Sequence, residues 1–202
     1  MQNPVLSITM KSGAVIKIEM FHGLCPNTVN SVIHLAKAGL YNGRKFYRVV
    51  KDFVLQTDCD KRKNDPQGCD YVLDSECAAS GHMAEQPDFV PGIVGMAGMG
   101  GGSNITGGSA FFIMTGEHPR LNGNFPVIGR VIDGMGEVMR INNVKCRQRM
   151  FNQIAFHTPE APEIMETVTV ETFGGIYPPP KTKPYSPDYL ESEEELNKFL
   201  EE

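Results

Sequence analysis

Lys45-Phe46-Tyr47-Arg48-Val49-Val50-Lys51-Asp52-Phe53-Val54-Leu55-Gln56 is the stretch whose reading decides the fold. Two apolar runs rich in β-branched and aromatic residues, Phe46 to Val50 and Phe53 to Gln56, meet at Lys51-Asp52, which predicts two strands joined by a tight turn. Arg48 sits among bulky neighbours. A guanidinium taken out of water needs an acceptor, so an arginine in such a run either pairs with a carboxylate or lies on a face where something else binds. Gln56, at the end of the second run, raises the same question. From this stretch alone, both side chains pointing to solvent from a half-buried sheet is an equally good account.

Before this pair, Leu6, Ile8 and Met10 alternate with polar residues, Lys11-Ser12-Gly13 turns the chain, and Ala14, Ile16, Ile18 and Met20 alternate again. That predicts a hairpin with one buried face. Pro26 opens a stretch in which Val29, Val32, Ile33 and Ala36 fall at helical spacing before Gly39 ends it, so a helix is expected there. From Cys59 to Asp88 neither period is clear, and Pro66-Gln67-Gly68 and Glu85-Gln86-Pro87 predict a long surface excursion. Strand patterns resume at Ile93–Ala97, Phe111–Thr115, Val127–Val131 and Glu166–Thr172, and a second helix is expected at Met135–Asn142. Together these make about eight strands, enough to close an antiparallel barrel and remove its edges.

Composition narrows the function classes. The chain has 202 residues, 41% hydrophobic and 21% charged, which suits one folded domain with an appendage. A formal charge of -5 with no basic stripe argues against a nucleic-acid surface. No run is long enough to span a bilayer, and the first residues do not have the pattern of a signal peptide, so a cytoplasmic protein is expected. Five dispersed cysteines, an odd number, fit reduced thiols better than a disulfide framework.

The Phe-Tyr-Arg-Val-Val and Phe-Val-Leu-Gln runs resemble the signature strand pair of the cyclophilins, the family of peptidyl-prolyl cis/trans isomerases (rotamases that assist protein folding). Further matches follow in order: Gly92-Ile93-Val94-Gly95-Met96-Ala97, Ser109-Ala110-Phe111-Phe112-Ile113-Met114-Thr115, and Leu121-Asn122-Gly123-Asn124-Phe125-Pro126-Val127-Ile128-Gly129-Arg130-Val131. The resemblance implies a mostly β fold, a closed eight-stranded antiparallel β-barrel capped by two α-helices, over residues 1–174. It implies an isomerase acting on X-Pro bonds in peptides or unfolded proteins, with neither cofactor nor metal. Arg48 and Gln56 would be its catalytic pair. Phe53, Val54, Phe112, Leu121 and Phe125 would grip the proline ring, and the main chain at Ala97, Gly98 and Met99 would pair with residues before it. At the rim, Arg120 replaces a tryptophan common in animal cyclophilins and Ala110 replaces a frequent glutamine. The first departure counts against cyclosporin binding. A non-catalytic proline-peptide-binding or scaffold module on the same fold is the rival reading.

Residues 175–202 change character. Tyr177-Pro178-Pro179-Pro180 through Pro187 favours extended, polyproline-like backbone, a tether. Ser192 and Glu195 resemble a capping box ahead of Leu196, Phe199 and Leu200, so the acidic tail is expected either to form a short helix or to fray. A tail of prolines beside a proline-binding domain is also expected to contact the barrel or a neighbouring molecule. Two other signals are weak. The glycine run Gly95 to Gly102 lacks the Gly-Lys-Ser/Thr ending of a phosphate loop, and Cys59, Cys69, Cys77 and His82 match no familiar zinc spacing.

Overall fold

The fold is described from a computed structural model, and the residues it describes are 2–60, 67–98, 102–151, 154–185, 195, 198 and 199. In chain order the elements are β1 (Val5–Met10), β2 (Val15–Met20), α1 (Pro26–Lys37), β3 (Arg48–Val50), β4 (Val54–Thr57), β5 (Tyr71–Asp74), β6 (Ile93–Gly98), β7 (Ile105–Met114), β8 (Val127–Asp133), α2 (Met135–Asn142), β9 (Cys146–Phe151), β10 (Ile154–Pro159), β11 (Met165–Glu171) and β12 (Lys183–Pro184). The two expected helices and the expected strand pairs are all present. β5, β9, β10 and β12 are additions that the alternation of residues does not announce.

The barrel is not closed as expected. The main sheet has ten strands, and its antiparallel ladders follow an open path β11-β1-β2-β8-β6-β7-β4-β3, with β5 and β12 branching from β7. Between the two ends of that path the described residues offer one isolated bridge, Lys45 to Ile164. β3 is only three residues long, and the backbone ahead of it, from Gly43 to Phe46, meets residues 163–165 through a few hydrogen bonds that do not extend into a ladder. β9 and β10 form a separate hairpin of their own that packs against β3.

Both faces of the central strands are buried, and they serve different clusters. Along β7, Phe111 and Ile113 point into the main core with Leu6, Ile16, Val49 and Leu55, while Ala110, Phe112 and Met114 join Val54, Phe89, Ala97 and Val127 in a second, outer cluster. This is the period-2 alternation of a strand covered on both sides. Helix α1 caps one opening, with Val29, Val32, Ile33 and Ala36 all buried. Its N-terminus has no local side-chain cap. The distant Glu76 supplies one: its carboxylate accepts from the Asn27 and Thr28 amides at 3.1 and 2.7 Å and from the Thr28 hydroxyl at 2.7 Å. A carboxylate there satisfies orphan donors and suits the helix dipole.

Helix α2 fixes the turn between β3 and β4. Asp52 holds a left-handed backbone with φ of 55°, strained for a residue with a side chain. Two hydrogen bonds hold it: the Asp52 amide donates to the buried Asn142 Oδ1 at 2.8 Å, and Asn142 Nδ2 donates to the Asp52 carboxylate at 3.2 Å.

The proline-rich segment lies along the sheet. Lys183 and Pro184 pair with Val72 and Tyr71 of β5, Asn27 and Lys181 exchange two hydrogen bonds at 2.9 and 2.7 Å, and Tyr185 donates to the Cys69 carbonyl at 3.0 Å. The expected capping box at Ser192 and the apolar Leu196 and Leu200 lie outside the described residues.

Candidate active site

Strand register builds the site. Arg48 pairs with Gln56, Gln56 with Phe112, and Phe112 with Gly95, so one row runs across β3, β4, β7 and β6. Residues in such a row share a face of the sheet. The glycine end of the row is required by packing: a Cβ at position 95 would lie 2.4 Å from Phe112 Cζ and 2.7 Å from Phe89 Cε1. Without a side chain there, the Phe112 ring lies down over β6.

Above this row opens a cleft of about 380 Å³. Phe53, Val54, Phe112, Leu121 and Phe125 line its apolar part, Arg48 and Gln56 its polar part, and Ala97 and Gly98 its far edge. The structure therefore brings these nine residues together. Phe112 and Phe125 meet edge to face, with ring centroids 5.8 Å apart. Met99 lies outside the described residues. Ala110 is buried in the outer cluster, and Arg120 is exposed and absent from the lining.

Arg48 and Gln56 are held in fixed orientation. Arg48 Nη1 donates to Gln56 Oε1 at 3.0 Å, and Gln56 Nε2 donates to the Tyr47 hydroxyl at 2.8 Å. The guanidinium lies 5.8 Å from the centroids of both the Phe53 and Phe156 rings. Burial pushes the Arg48 pKa below its ordinary value, against a smaller opposing effect of Tyr47, yet an arginine stays charged. Among the described residues no carboxylate pairs with it. A half-buried cation with N–H donors beyond the one given to Gln56 thus faces an apolar slot, ready to give charge-assisted hydrogen bonds to whatever enters.

Several contributors escaped sequence reasoning. Tyr47 lies within the strand pair, and its hydroxyl orients Gln56. His118 tilts against Phe53 with centroids 4.4 Å apart while its Nε2 lies 3.0 Å from the Asp52 carbonyl, so it steadies both the ring and the turn. Phe151 and Phe156, from the β9–β10 hairpin, also line the cleft. No motif signals them, because they belong to a segment outside the four matching blocks. The cysteine region is unlike a metal centre. Cys77 exchanges hydrogen bonds with Ser75 and Ser80, the His82 ring meets the Leu24 carbonyl at 2.7 Å, and among the described residues no three potential ligands gather. All five cysteines are free thiols.

The architecture is a β-rich sheet fold with a largely apolar cleft over its central strands, and the comparisons give it a family. A family model described as cyclophilin type peptidyl-prolyl cis-trans isomerase/CLD matches residues 5–168. Peptidyl-prolyl cis-trans isomerase-like 1 of Mus musculus is 31% identical over 138 residues, which cover 68% of this chain and 80% of that protein. A probable peptidyl-prolyl cis-trans isomerase of Brucella suis is 33% identical over 145 residues, covering 69% and 71%. Peptidylprolyl isomerase domain and WD repeat-containing protein 1 of Mus musculus is 35% identical over 138 residues, 66% of this chain but 20% of that protein. Among solved structures, a Cryptosporidium parvum cyclophilin type peptidyl-prolyl cis-trans isomerase superposes with a TM-score of 0.66 at 23% identity, covering 84% of this chain and 98% of that one, a likeness of fold.

The chain belongs to the cyclophilin-type peptidyl-prolyl cis-trans isomerases. Its activity is rotation about X-Pro peptide bonds, and its substrates are proline-containing peptides. The rival reading of a non-catalytic module is not favoured.

Proposed function

We propose that the cleft over the Arg48–Gln56–Phe112 row is the active site, and that Arg48 is its principal catalytic residue. The observation that carries this is a half-buried guanidinium without a carboxylate partner among the described residues, 5.8 Å from the ring of Phe53 and in register with Gln56 and Phe112. Amide resonance sets a barrier of about 18–20 kcal/mol to rotation of a peptide bond. The prolyl nitrogen has a lone pair to offer only when that resonance is broken, so a donor aimed at it favours the twisted state over both planar ones. A charge-assisted hydrogen bond contributes about 1.5–3 kcal/mol, and each 1.36 kcal/mol is tenfold in rate. Arg48 therefore accounts for roughly ten- to a hundredfold.

The remainder comes from holding one side of the bond while the other turns. Phe53, Val54, Phe112, Leu121 and Phe125 grip the pyrrolidine ring. Gln56 has one amide hydrogen beyond that given to Tyr47 and offers it to the substrate carbonyl. The main chain at Ala97 and Gly98 pairs with the residues before proline. Thr106 Oγ1 donates to the Ala97 carbonyl at 2.9 Å, which steadies the edge and leaves the oxygen a second lone pair.

Three other assignments belong to this reading. Residues 1–174 form the isomerase domain and 175–202 an appendage. The free thiols favour a cytoplasmic location, where exposed X-Pro bonds in folding chains would be the substrates. With Arg120 exposed at the rim, cyclosporin binds weakly or not at all. The deciding experiment is Arg48→Ala, with isomerisation of a proline peptide followed by NMR exchange and folding checked by thermal melting. Turnover should fall at least tenfold with the melt preserved; wild-type turnover would overturn the assignment.

A further inference from the structure

From the β9–β10 hairpin we infer a second, aromatic subsite that selects the residue following the substrate proline, with Phe151 as its specificity-determining contact. This rests on the active-site reading above and adds a substrate preference to it.

The hairpin stands beyond Arg48 as a wall. Phe156 stacks on Tyr47 with centroids 6.0 Å apart and planes 11° apart, and Phe151 meets Phe156 edge-on at 6.4 Å. The Arg48 guanidinium is equidistant from the Phe53 ring on the proline side and the Phe156 ring on the hairpin side, 5.8 Å from each. Behind the wall, Phe199 packs against Phe151 and Phe156 at 5.1 and 5.4 Å, and the Arg149 guanidinium lies 4.0 Å from the Phe199 ring. The wall is braced from both sides.

Burial divides the work among the rings. Tyr47 is 4% and Phe156 7% exposed, so their faces are spent on each other and on Arg48. Phe151 is only half-buried and lines the cleft, so it has surface left for a ligand. Space is available too: at about 380 Å³ the cleft falls in the range of roughly 300–1,000 Å³ that holds ligands far larger than a pyrrolidine ring.

Sheet order gives the direction. The sequence β6, β7, β4, β3 places Ala97 and Gly98 at one edge of the cleft and Arg48, backed by the hairpin, at the other. Three strand spacings are about 14 Å, which an extended peptide crosses in about four residues. A peptide paired before its proline with Ala97–Gly98 therefore reaches Phe151 with the first or second residue after it. Aromatic side chains there would meet a matching ring.

The test compares kcat/KM, by NMR exchange, for acetyl-Ala-Ala-Pro-Ala-Ala-amide and peptides with phenylalanine at the first or second position after proline, or at the position before it. An aromatic pair predicts a preference of about two- to tenfold for phenylalanine after proline. In Phe151→Ala the phenylalanine-to-alanine ratio should fall to about one, and in Phe151→Leu to an intermediate value. Because each ratio is taken within one variant, partial unfolding cancels. An unchanged ratio in Phe151→Ala, or a preference lost only at the position before proline, overturns the subsite. Arg48→Ala separates the two readings: it should slow all four peptides, and wild-type turnover there would sink the active-site assignment itself.

Discussion

Replacing Asn142 with alanine should loosen the turn that joins the strands of Arg48 and Gln56 and carries Phe53. Asp52 holds φ of 55°, a conformation that costs roughly 1–2 kcal/mol for a residue with a Cβ. Asn142, 2% exposed, holds it there through one bond from the Asp52 amide and one to its carboxylate, each contributing about 0.5–1.5 kcal/mol. Truncation also leaves the amide without its partner, so the expected loss of unfolding free energy is about 2–3 kcal/mol, read from urea denaturation with an unchanged m-value. Asp52→Gly offers a contrast. It relieves the backbone strain and loses only the carboxylate bond, since the amide bond to Asn142 remains, and these changes nearly cancel. Stability within about 0.5 kcal/mol of wild type is expected. Asn142→Ala should also lower kcat/KM, because Phe53 directly follows Asp52 within the turn and His118 rests on the Asp52 carbonyl. If Asn142→Ala costs less than about 0.5 kcal/mol while Asp52→Gly costs more, the turn is not held as argued.

Gly95→Ala would drive a methyl into the Phe112 ring at 2.4 Å. Overpacking of about 1–3 kcal/mol and a clear loss of turnover are expected, measured by melting and by the same exchange assay. Glu76→Gln should cost about 1 kcal/mol in denaturant titration by weakening the cap on α1; no change would mean water replaces the carboxylate. Hydrogen bonds from Arg140 hold the Glu137 carboxyl below its ordinary value of 4.5, with burial opposing and Ser12 assisting. The stabilisation is therefore full above pH 4.5 and fades as the pH falls through the lower folded value. A melting-temperature gap between wild type and Arg140→Ala should close in acid, and a gap independent of pH would refute the linkage. Burial raises the thiol pKa of Cys25, Cys59 and, to about 12, Cys69. Ellman's reagent should find none of these three in the native protein but all five cysteines in denaturant.

The sequence announces elements whose side chains alternate or recur at helical spacing. Met135–Asn142 is found with the expected bounds, and the strand pair around Arg48 is where its β-branched and aromatic residues put it. The first half of β7 was hidden because Gly107 and Gly108 depress strand propensity. The backbone needs Gly108, since a Cβ there would meet the Tyr71 carbonyl of β5 at 2.5 Å, a constraint that only the crossing strand reveals. β5 itself is four residues inside an irregular stretch. Arg48, Gln56 and the rings of Phe53, Phe112 and Phe125 that line the cleft were legible through ordered motifs. The hairpin wall was not: Arg147, Gln148 and Arg149 leave β9 without an apolar alternation, and the roles of Phe151 and Phe156 depend on how β9–β10 folds back on β3.

The short pairing of β12 with β5 has a bearing on solubility. An unpaired strand edge is a template on which further chains can add, and aggregation begins at such edges. Lys183 and Pro184 cover the Tyr71–Val72 part of the β5 edge, and proline brings no amide hydrogen to offer the next strand. A protein shortened ahead of Lys183 should stay folded yet precipitate more readily, its newly bared border recruiting neighbours that the intact chain turns away.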